Sequence, residues 1–525
     1  MGSVPLTNEQ LANALSLSSQ RLSRTTLLGI WAAKEALSVA GITTTDCSQL
    51  TFVNGTTVGG MDLTESSYAE WMQGSAAATI MQHEANASTV DIANYFGGFA
   101  SVATVSTACS SALNALIAGA NRLRTGKYSM ALVGGTEALT QFHTEGFHSL
   151  RILDDKPCRP FCQDRAGLNL GEGAAYLLLE TEEHARQRGA AVLAYVAGYG
   201  NACDAFHQTA SSPNGEGAYL AMRQALQMAQ IQPQEVDYIN AHGTATPNND
   251  ASEMEAFRRL FGEGIPPYSS TKAYTGHTTS ASGAIEAVFC VQCLKQGFIP
   301  ASLNSLPVEV GFPTPVQHTL FQPLRYVLSN AFGFGGNCSS VLLASSPAEL
   351  PSLQVLPIHQ TEMITVGCAD EVKQYITPMQ ARRLTPTMRL TLAAAKKALE
   401  KEGINVPEAI LCATRYGCIR TTRLLLEAMT SHTEISPTLF MQSTHNTVAS
   451  IVAMHLHAHG FNCTYSCGAD SEQVALAEAR LLVGTGMVNN VLLLCFDEAD
   501  EVWQTFLPDD MLPMTTRSAA CVIKR

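Results

Sequence analysis

Between Ser23 and Ile42 the apolar positions Leu27, Ile30, Trp31 and Leu37, joined by the aliphatic stem of Lys34, recur at helical spacing. The stretch SRTTLLGIWAAKEALSVAGI is therefore predicted as an amphipathic helix, capped at Ser23 and stopped at Gly41. QLTFVNGTT, directly after it, has the character of a strand. YSMALVGGTEA (Tyr128 to Ala138) and GAAYLLLET (Gly173 to Thr181) are short apolar runs of buried-strand type. VLAYVAGYGNA and VDYINAHGTAT look alike, each ending at a Gly or His that opens a loop. Helical and extended patterns alternate throughout, which predicts an α/β fold with covered sheets.

A Ser- and Pro-rich stretch, Leu342 to Glu362, breaks this pattern and reads as a linker. The chain beyond it echoes the chain before it. AAKEALSVAGI (32–42) matches AAKKALEKEGI (394–404) at seven of eleven positions, an offset of 362. ALVGGTEA (131–138) lines up with LLLCFDEA (492–499) at an offset of 361, and FVNGTTVGG pairs with LCATRYGCI through its strand-then-Gly shape. Similar offsets in the same order indicate a degenerate internal repeat. The second copy ends level with the strand near 173–181 and has no counterpart to residues 190–345.

The 525-residue length allows two to four domains, and the composition is that of a globular chain, 46% hydrophobic and 15% charged. A net charge of −13 argues against nucleic acid or an anionic membrane as partner, since both need a basic face. Fifteen cysteines, odd in number and scattered along the chain, fit reduced thiols better than a disulfide framework or a zinc site. His455, His457 and His459 place only the outer two on one helical face, with no acidic or cysteine ligand beside them, so metal binding is disfavoured. MGSVPLTNEQ lacks the basic and apolar regions of a signal peptide, and no apolar run reaches membrane-spanning length. These features point to a cytoplasmic protein without a membrane span.

Among the cysteines, Cys109 stands apart. ASVATVST is extended and SSALNALIAGANRLRTGK is helical, so Cys109 falls at a helix N-terminus, where unpaired N–H groups and the dipole favour a thiolate. The neighbours Ala108, Ser110 and Ser111 leave room for a substrate carbonyl, and the Cys109 N–H is available to an oxyanion. On this stretch alone a small buried space-filler is the commoner reading. Two later segments shift the balance. NAHGTATPNNDASE sets His242 directly after an apolar strand, and SSTKAYTGHTTSASGAIEAV sets Lys272 and His277 in a small-residue loop before a helix; both histidines are read at strand-to-loop junctions. SNAFGFGGNCSS (Ser329 to Ser340) is a Gly-punctuated aromatic loop in which backbone approaches something closely.

Together TACSSA, RPFCQDRAGLNLGEGAA, HGTATPNND, KAYTGHTTSASGAIE and NAFGFGGN, in that order over about residues 5–345, resemble the β-ketoacyl-acyl-carrier-protein synthases, the elongating condensing enzymes of fatty-acid and polyketide synthesis. The resemblance implies a thiolase-like fold of layered αβαβα halves and decarboxylative Claisen condensation of malonyl-acyl carrier protein with a Cys-bound acyl chain. Cys109 would carry the acyl thioester, and His242 and His277 would polarise the malonyl thioester carbonyl. Lys272 would order the surroundings of the second histidine, with Glu286 a buried acid near it. Thr244 and Thr246 would bind the phosphopantetheine arm, while Phe334 gates the site and lends its N–H to an oxyanion hole with that of Cys109. No cofactor or metal is implied, and the partners would be an acyl carrier protein and a second synthase unit, in a homodimer or pseudo-heterodimer.

The chain departs from that pattern in several places. It lacks the opening strand and Gly turn usual in the family, which should leave an open sheet edge. MITVGCA (Met363 to Ala369) has the character of a donated replacement, although it more simply belongs to the second repeat. Cys162 and Ala166 stand where acidic residues are usual, which would touch a supporting loop rather than the chemistry. The expected organisation is a synthase domain over 1–345, a linker over 346–361, and a partial, catalytically silent unit over 362–525 resembling the N-terminal half of a chain-length factor. At an offset of 361, Cys109 would correspond to Asp470 in YSCGADSEQVAL. A non-catalytic partner or scaffold is the alternative to an active synthase.

Overall fold

A computed structural model describes residues 1–17, 22–74, 79–348, 350–353, 355–367, 369–505 and 515–525. Strands β1 (Thr51–Gly55), β2 (Ser101–Val105), β3 (Met130–Glu137) and β4 (Gly173–Glu180) form one sheet in the order β2-β1-β3-β4. β1 and β3 are buried along their whole length, which explains why they read as continuous apolar runs rather than alternating ones. A second sheet holds β5 (Tyr195–Cys203), β6 (Tyr238–Asn240), β7 (Tyr268–Ser269), β8 (Tyr326–Gly333) and β9 (Asn337–Ala344) in the order β5-β9-β8-β6-β7.

Helix α1 (Arg24–Val39) covers the outer face of the first sheet, α2 (Ser111–Arg124) lies between the sheets, α3 (Glu216–Ala229) covers the second, and α4 (Ser282–Gln296) runs beside α2 in the middle layer. The apolar core of that layer joins Val53, Leu113, Leu116, Cys290, Val327 and Val341. Ser23 caps α1 through its side chain, and Leu27, Ile30 and Leu37 are buried beneath it as the spacing predicts. Trp31 is 38% exposed and Lys34 is also exposed, so the buried stripe is narrower than the sequence suggests.

The second unit repeats the first sheet. Its strands are β10 (His359–Gln360), β11 (Ile364–Thr365), β12 (Ala409–Ala413), β13 (Phe461–Tyr465), β14 (Asn490–Asp497) and β15 (Arg517–Lys524). Its helices include α5 (Pro386–Glu402), α6 (Thr447–Leu456) and α7 (Ser471–Gly484). Side-chain hydrogen bonds recur along with the strands. The N–H of Gly59 bonds the Thr56 hydroxyl and that of Gly417 bonds Thr414, while Thr57 N–H bonds Glu137 and Arg415 N–H bonds Asp497. β13 pairs antiparallel with β2 at Tyr465 and Val105, joining both units into a ten-stranded sheet. Across the same junction Arg122 and Glu478 form a buried ion pair at 2.6 Å.

Of the two readings of MITVGCA the simpler one holds, and two other sequence expectations change. β11, within MITVGCA, pairs with β15 of its own unit rather than with β4, which stays the end strand of the sheet; Cys368 lies outside the described residues. β10 already pairs with β15, so the strands of the second unit begin at 359, inside the stretch read as linker; residues 349 and 354 of that stretch are not described. The register of the repeat at the helix turn is 360, not 361. The turn Ala108–Ser110 is matched by Gly468–Asp470, both opening with a positive φ, and Ser111 matches Ser471 in bonding the N–H four residues back. Cys109 therefore corresponds to Ala469, and Asp470 stands opposite Ser110. The second unit still has no thiol at that place. Residues 111–123 of α2 are all buried beneath the second sheet, whereas α7 carries exposed Glu472, Gln473 and Arg480 on a face that no second sheet covers.

Candidate active site

Cys109 lies in the one-turn segment between β2 and α2, just before the helix rather than inside it, and is 5% exposed. The backbone N–H groups of Cys109 and Phe334 both approach its sulfur and favour the thiolate, as does the charge of Lys272. Burial outweighs them and pushes the thiol up to about 12. Burial thus opposes the activation expected from the helix end.

His277 reaches Cys109 with its Nε2 3.1 Å from Sγ. It follows a short helix, Lys272–Thr275, and Gly276, not a strand. On its other side Nδ1 stands 3.0 Å from the Ser282 hydroxyl, which in turn accepts from Thr278. His242 lies two residues past the end of β6, at the predicted strand-to-loop junction, and its ring centroid lies 5.3 Å from that of His277. Its loop is held by Glu253, whose two carboxylate oxygens accept the N–H groups of His242 and Gly243 at 2.8 Å. Both imidazoles are kept neutral, with pKa values driven well below the usual range by burial and then by the Lys272 charge.

Lys272 is 1% exposed, bonds Glu286, and places its Nζ 3.3 Å from Nδ1 of His242. The lysine thus orders the first histidine, where the sequence resemblance implied the second. Glu286 is buried behind Lys272 and bonds its Nζ; Glu286, Lys272, His242 and His277 all stand outside the lining of the cavity described next. Thr244 and Thr246 bond each other at 2.9 Å on the loop after His242. Cys162 and Ala166 flank a loop still fixed by Asp250, which accepts the Phe161 N–H and pairs with Arg165.

A cavity of about 40 Å³ opens from Cys109, Ala108 and Phe334. The first unit lines it with Thr57, Val58, Met61, His83, Phe142, His143, Phe147 and Thr279; the second adds Tyr416, Thr422, Phe440 and Ser443 to His445. Phe334 stacks on Phe147 at 5.6 Å and stands between Cys109 and the aromatic cluster. Burial holds His83 near 3 and His143 and His445 near 4, all neutral. Apart from Ala108, Cys109, Thr279 and Phe334, none of these cavity residues is marked by a motif. Their only sequence signal is the repeat itself, which places a second unit beside the first. The fourteen described cysteines are all free, and no group of three or more His, Cys, Asp or Glu side chains able to hold a metal occurs among the described residues.

A reactive-type cysteine at the closed end of a cavity, two neutral imidazoles beside it and two converging backbone N–H groups form a set suited to acyl transfer and enolate stabilisation. Family models described as the beta-ketoacyl synthase N-terminal and C-terminal domains match residues 7–185 and 193–305, and a further N-terminal-domain model matches 359–524. Nodulation protein E of Rhizobium meliloti is 34% identical over 325 residues, covering 60% of this chain and 80% of that protein. The 3-oxoacyl-[acyl-carrier-protein] synthase 2 of Staphylococcus aureus is 32% identical over 335 residues, covering 61% and 81%. Among solved structures, the ishigamide ketosynthase/chain length factor matches with TM-score 0.59 and 31% identity over 62% of this chain and 83% of its own. The PfaC keto synthase-chain length factor matches 96% of this chain and 69% of its own with TM-score 0.78; at 19% identity it bears on the fold alone.

Proposed function

Because the chain belongs to the β-ketoacyl synthase family and is a condensing acyltransferase, we propose that Cys109, His242 and His277 carry its reaction, with acyl and malonyl thioesters of an acyl carrier protein as substrates. The observation that supports this most directly is the His277 Nε2 to Cys109 Sγ contact of 3.1 Å, with two backbone N–H groups aimed at the same sulfur.

In the first half-reaction Cys109 Sγ attacks the acyl thioester carbonyl. A new C–S bond forms, the carrier's C–S bond breaks, and the thiol proton leaves with the carrier thiol. The N–H groups of Cys109 and Phe334 stabilise the oxyanion formed on the way. In the second, the malonyl carboxylate departs as CO2 and its bonding pair passes into the thioester enolate. Neutral imidazoles donate to that enolate oxygen without first losing a charge-balancing proton. Lys272, donating to Nδ1 of His242, leaves the proton of that ring on Nε2. The enolate carbon then attacks the Cys109 thioester carbonyl, and the C–S bond breaks to return the thiolate, which regains a proton. Thr244 and Thr246 contact the phosphopantetheine arm. None of these steps calls for a metal or redox group.

Residues 1–345 act as the synthase domain in this reading. The unit from about 359 takes the place of a second subunit, is silent because Ala469 stands where Cys109 would, and closes the acyl cavity with Tyr416, Phe440 and His445. A purely scaffolding role is disfavoured by the complete Cys-His-His-Lys set. No described helix is long and apolar enough to cross a membrane, which accords with a cytoplasmic setting. Incubation with a panel of acyl-carrier-protein thioesters, with intact and peptide mass measurement afterwards, tests the reading: an acyl adduct on Cys109 is expected, and none with any acyl group would falsify it.

A further inference from the structure

The loop that supplies the Phe334 N–H is not held by the synthase domain alone. Asn446, at the start of α6 in the second unit, donates from Nδ2 to the Phe334 carbonyl at 2.9 Å and is itself 1% exposed. The next residue, Gly335, has φ +84 and packs so closely on α6 that an added Cβ would meet the Ser450 hydroxyl at 2.1 Å. The Asn446 Oδ1 is buried and has no hydrogen-bond partner. A half-satisfied buried amide is costly, so what accounts for this side chain is the bond it donates. On the other side the loop is tied to the first unit by Gly335 N–H to Gln208 carbonyl at 2.6 Å and Asp204 N–H to Gly336 carbonyl at 2.7 Å. The Phe334 backbone is thus clamped between units, its N–H toward Cys109 and its carbonyl, in the adjoining peptide to Gly335, toward Asn446.

We propose that Asn446 is a positioning residue for the oxyanion-binding amide of Phe334, so that the unit with Ala469 in place of the cysteine controls acyl transfer at Cys109. The inference rests on the condensing function proposed for Cys109, and concerns only the half of the reaction that passes through the Cys109 thioester carbonyl. Decarboxylation depends on His242 and His277, neither of which Asn446 touches. Oxyanion donors are sensitive to small displacements, and losing one outright costs on the order of a hundred-fold or more in rate.

The test compares the full chain with Asn446→Asp, which sets carboxylate oxygens against the Phe334 carbonyl, and with Asn446→Ala, which removes the donor without adding charge. Two rates are read for each: acylation of Cys109 from an acyl thioester, monitored by mass, and malonyl-thioester decarboxylation in a Cys109→Gln background. Acylation is expected to fall about ten-fold or more in Asn446→Asp and by a smaller factor in Asn446→Ala, with decarboxylation within two-fold of the parent. If the Asp variant does not fold, the Ala variant carries the same comparison. Equal acylation in variant and parent, or a proportional fall of both rates, overturns the inference. An unmutated chain that forms no Cys109 adduct instead overturns the condensing function, and this inference with it.

Discussion

The ammonium of Lys272 stands 3.3 Å from Nδ1 of His242 while Glu286 bonds its other side, all three groups out of contact with bulk water. Removing the lysine leaves Glu286 as an uncompensated buried charge and frees the His242 tautomer. Lys272→Met is therefore expected to lose about 3–5 kcal/mol of stability and most decarboxylation. Adding Glu286→Gln removes the stranded charge, so Lys272→Met/Glu286→Gln should recover most of the stability and none of the decarboxylation. Denaturant unfolding beside a malonyl-thioester decarboxylation assay separates the two effects. Recovery of both together would show that Lys272 acts only through folding.

The proposed reaction is divided between Cys109 and the histidines, and the division can be tested by removing the nucleophile alone. Cys109→Gln eliminates acyl transfer and hence condensation, because no thioester forms. It retains malonyl decarboxylation, since His242 and His277 are still in place. Product analysis with malonyl thioester alone, and then with acyl and malonyl thioesters together, checks both statements. Loss of decarboxylation in this variant contradicts the assignment of roles.

Arg122 and Glu478 tie the units together through a 2.6 Å ion pair, with side chains 7% and 6% exposed, and Arg122 also donates to Thr51. Arg122→Met strands Glu478 and is expected to destabilise the chain by about 3–5 kcal/mol. Arg122→Met/Glu478→Leu, which replaces the pair by apolar groups, should lie within about 1–2 kcal/mol of the parent or above it. Unfolding free energies of the three proteins test this; a double variant no better than the single one argues against the pair as the source of the loss.

The core of the site is legible in the sequence because each part sits on a local signal. Cys109 lies at a strand-to-helix handover, His242 ends an apolar run, and Gly residues flank Phe334. Which nitrogen each group meets is not legible. Lys272 is thirty residues from His242 and five from His277, yet it bonds the former, because β6 and β7 lie side by side in the sheet. The repeat is visible through α1 and α5, but insertions between elements move its offset, so a constant value places Asp470 where Ala469 belongs. Tyr416, Phe440, His445 and Asn446 carry no motif, because their roles arise only when the second unit docks across β2 and β13.

Phe440 shows how that docking sets the size of the cavity. Its ring lies 6.0 Å from Phe142 and 5.2 Å from Phe147, and Gly146 packs on its face. Phe440→Ala removes this cross-unit wall, costs about 3–5 kcal/mol as a large-to-small core change, and opens the space beyond Phe334. The expected functional result is a shift of Cys109 acylation toward longer acyl thioesters, measured by competition within an equimolar chain-length mixture. An unchanged preference places the chain's end elsewhere.

His445 makes the same boundary sensitive to acid. Burial holds its pKa near 4, against about 6.5 in an unfolded chain, although its ring N–H donates to the Thr57 carbonyl. Below pH 6.5 the unfolded chain takes up a proton that the folded chain refuses. This group's contribution is therefore fully present above about pH 6.5 and is lost as pH falls toward 4, at up to about 1.4 kcal/mol per pH unit. His83 and His143 act in the same direction, while Glu137 and Glu253, raised to about 7, act in the opposite one. Comparing the parent with His445→Gln cancels His143, Glu137 and Glu253, and leaves His83 shifted by burial alone. Whatever the variant costs at pH 7, the gap should narrow by about 2 kcal/mol at pH 5, read from denaturant unfolding at the two pH values. A gap of equal size at both would mean that His445 is protonated in the folded chain as readily as in the unfolded one.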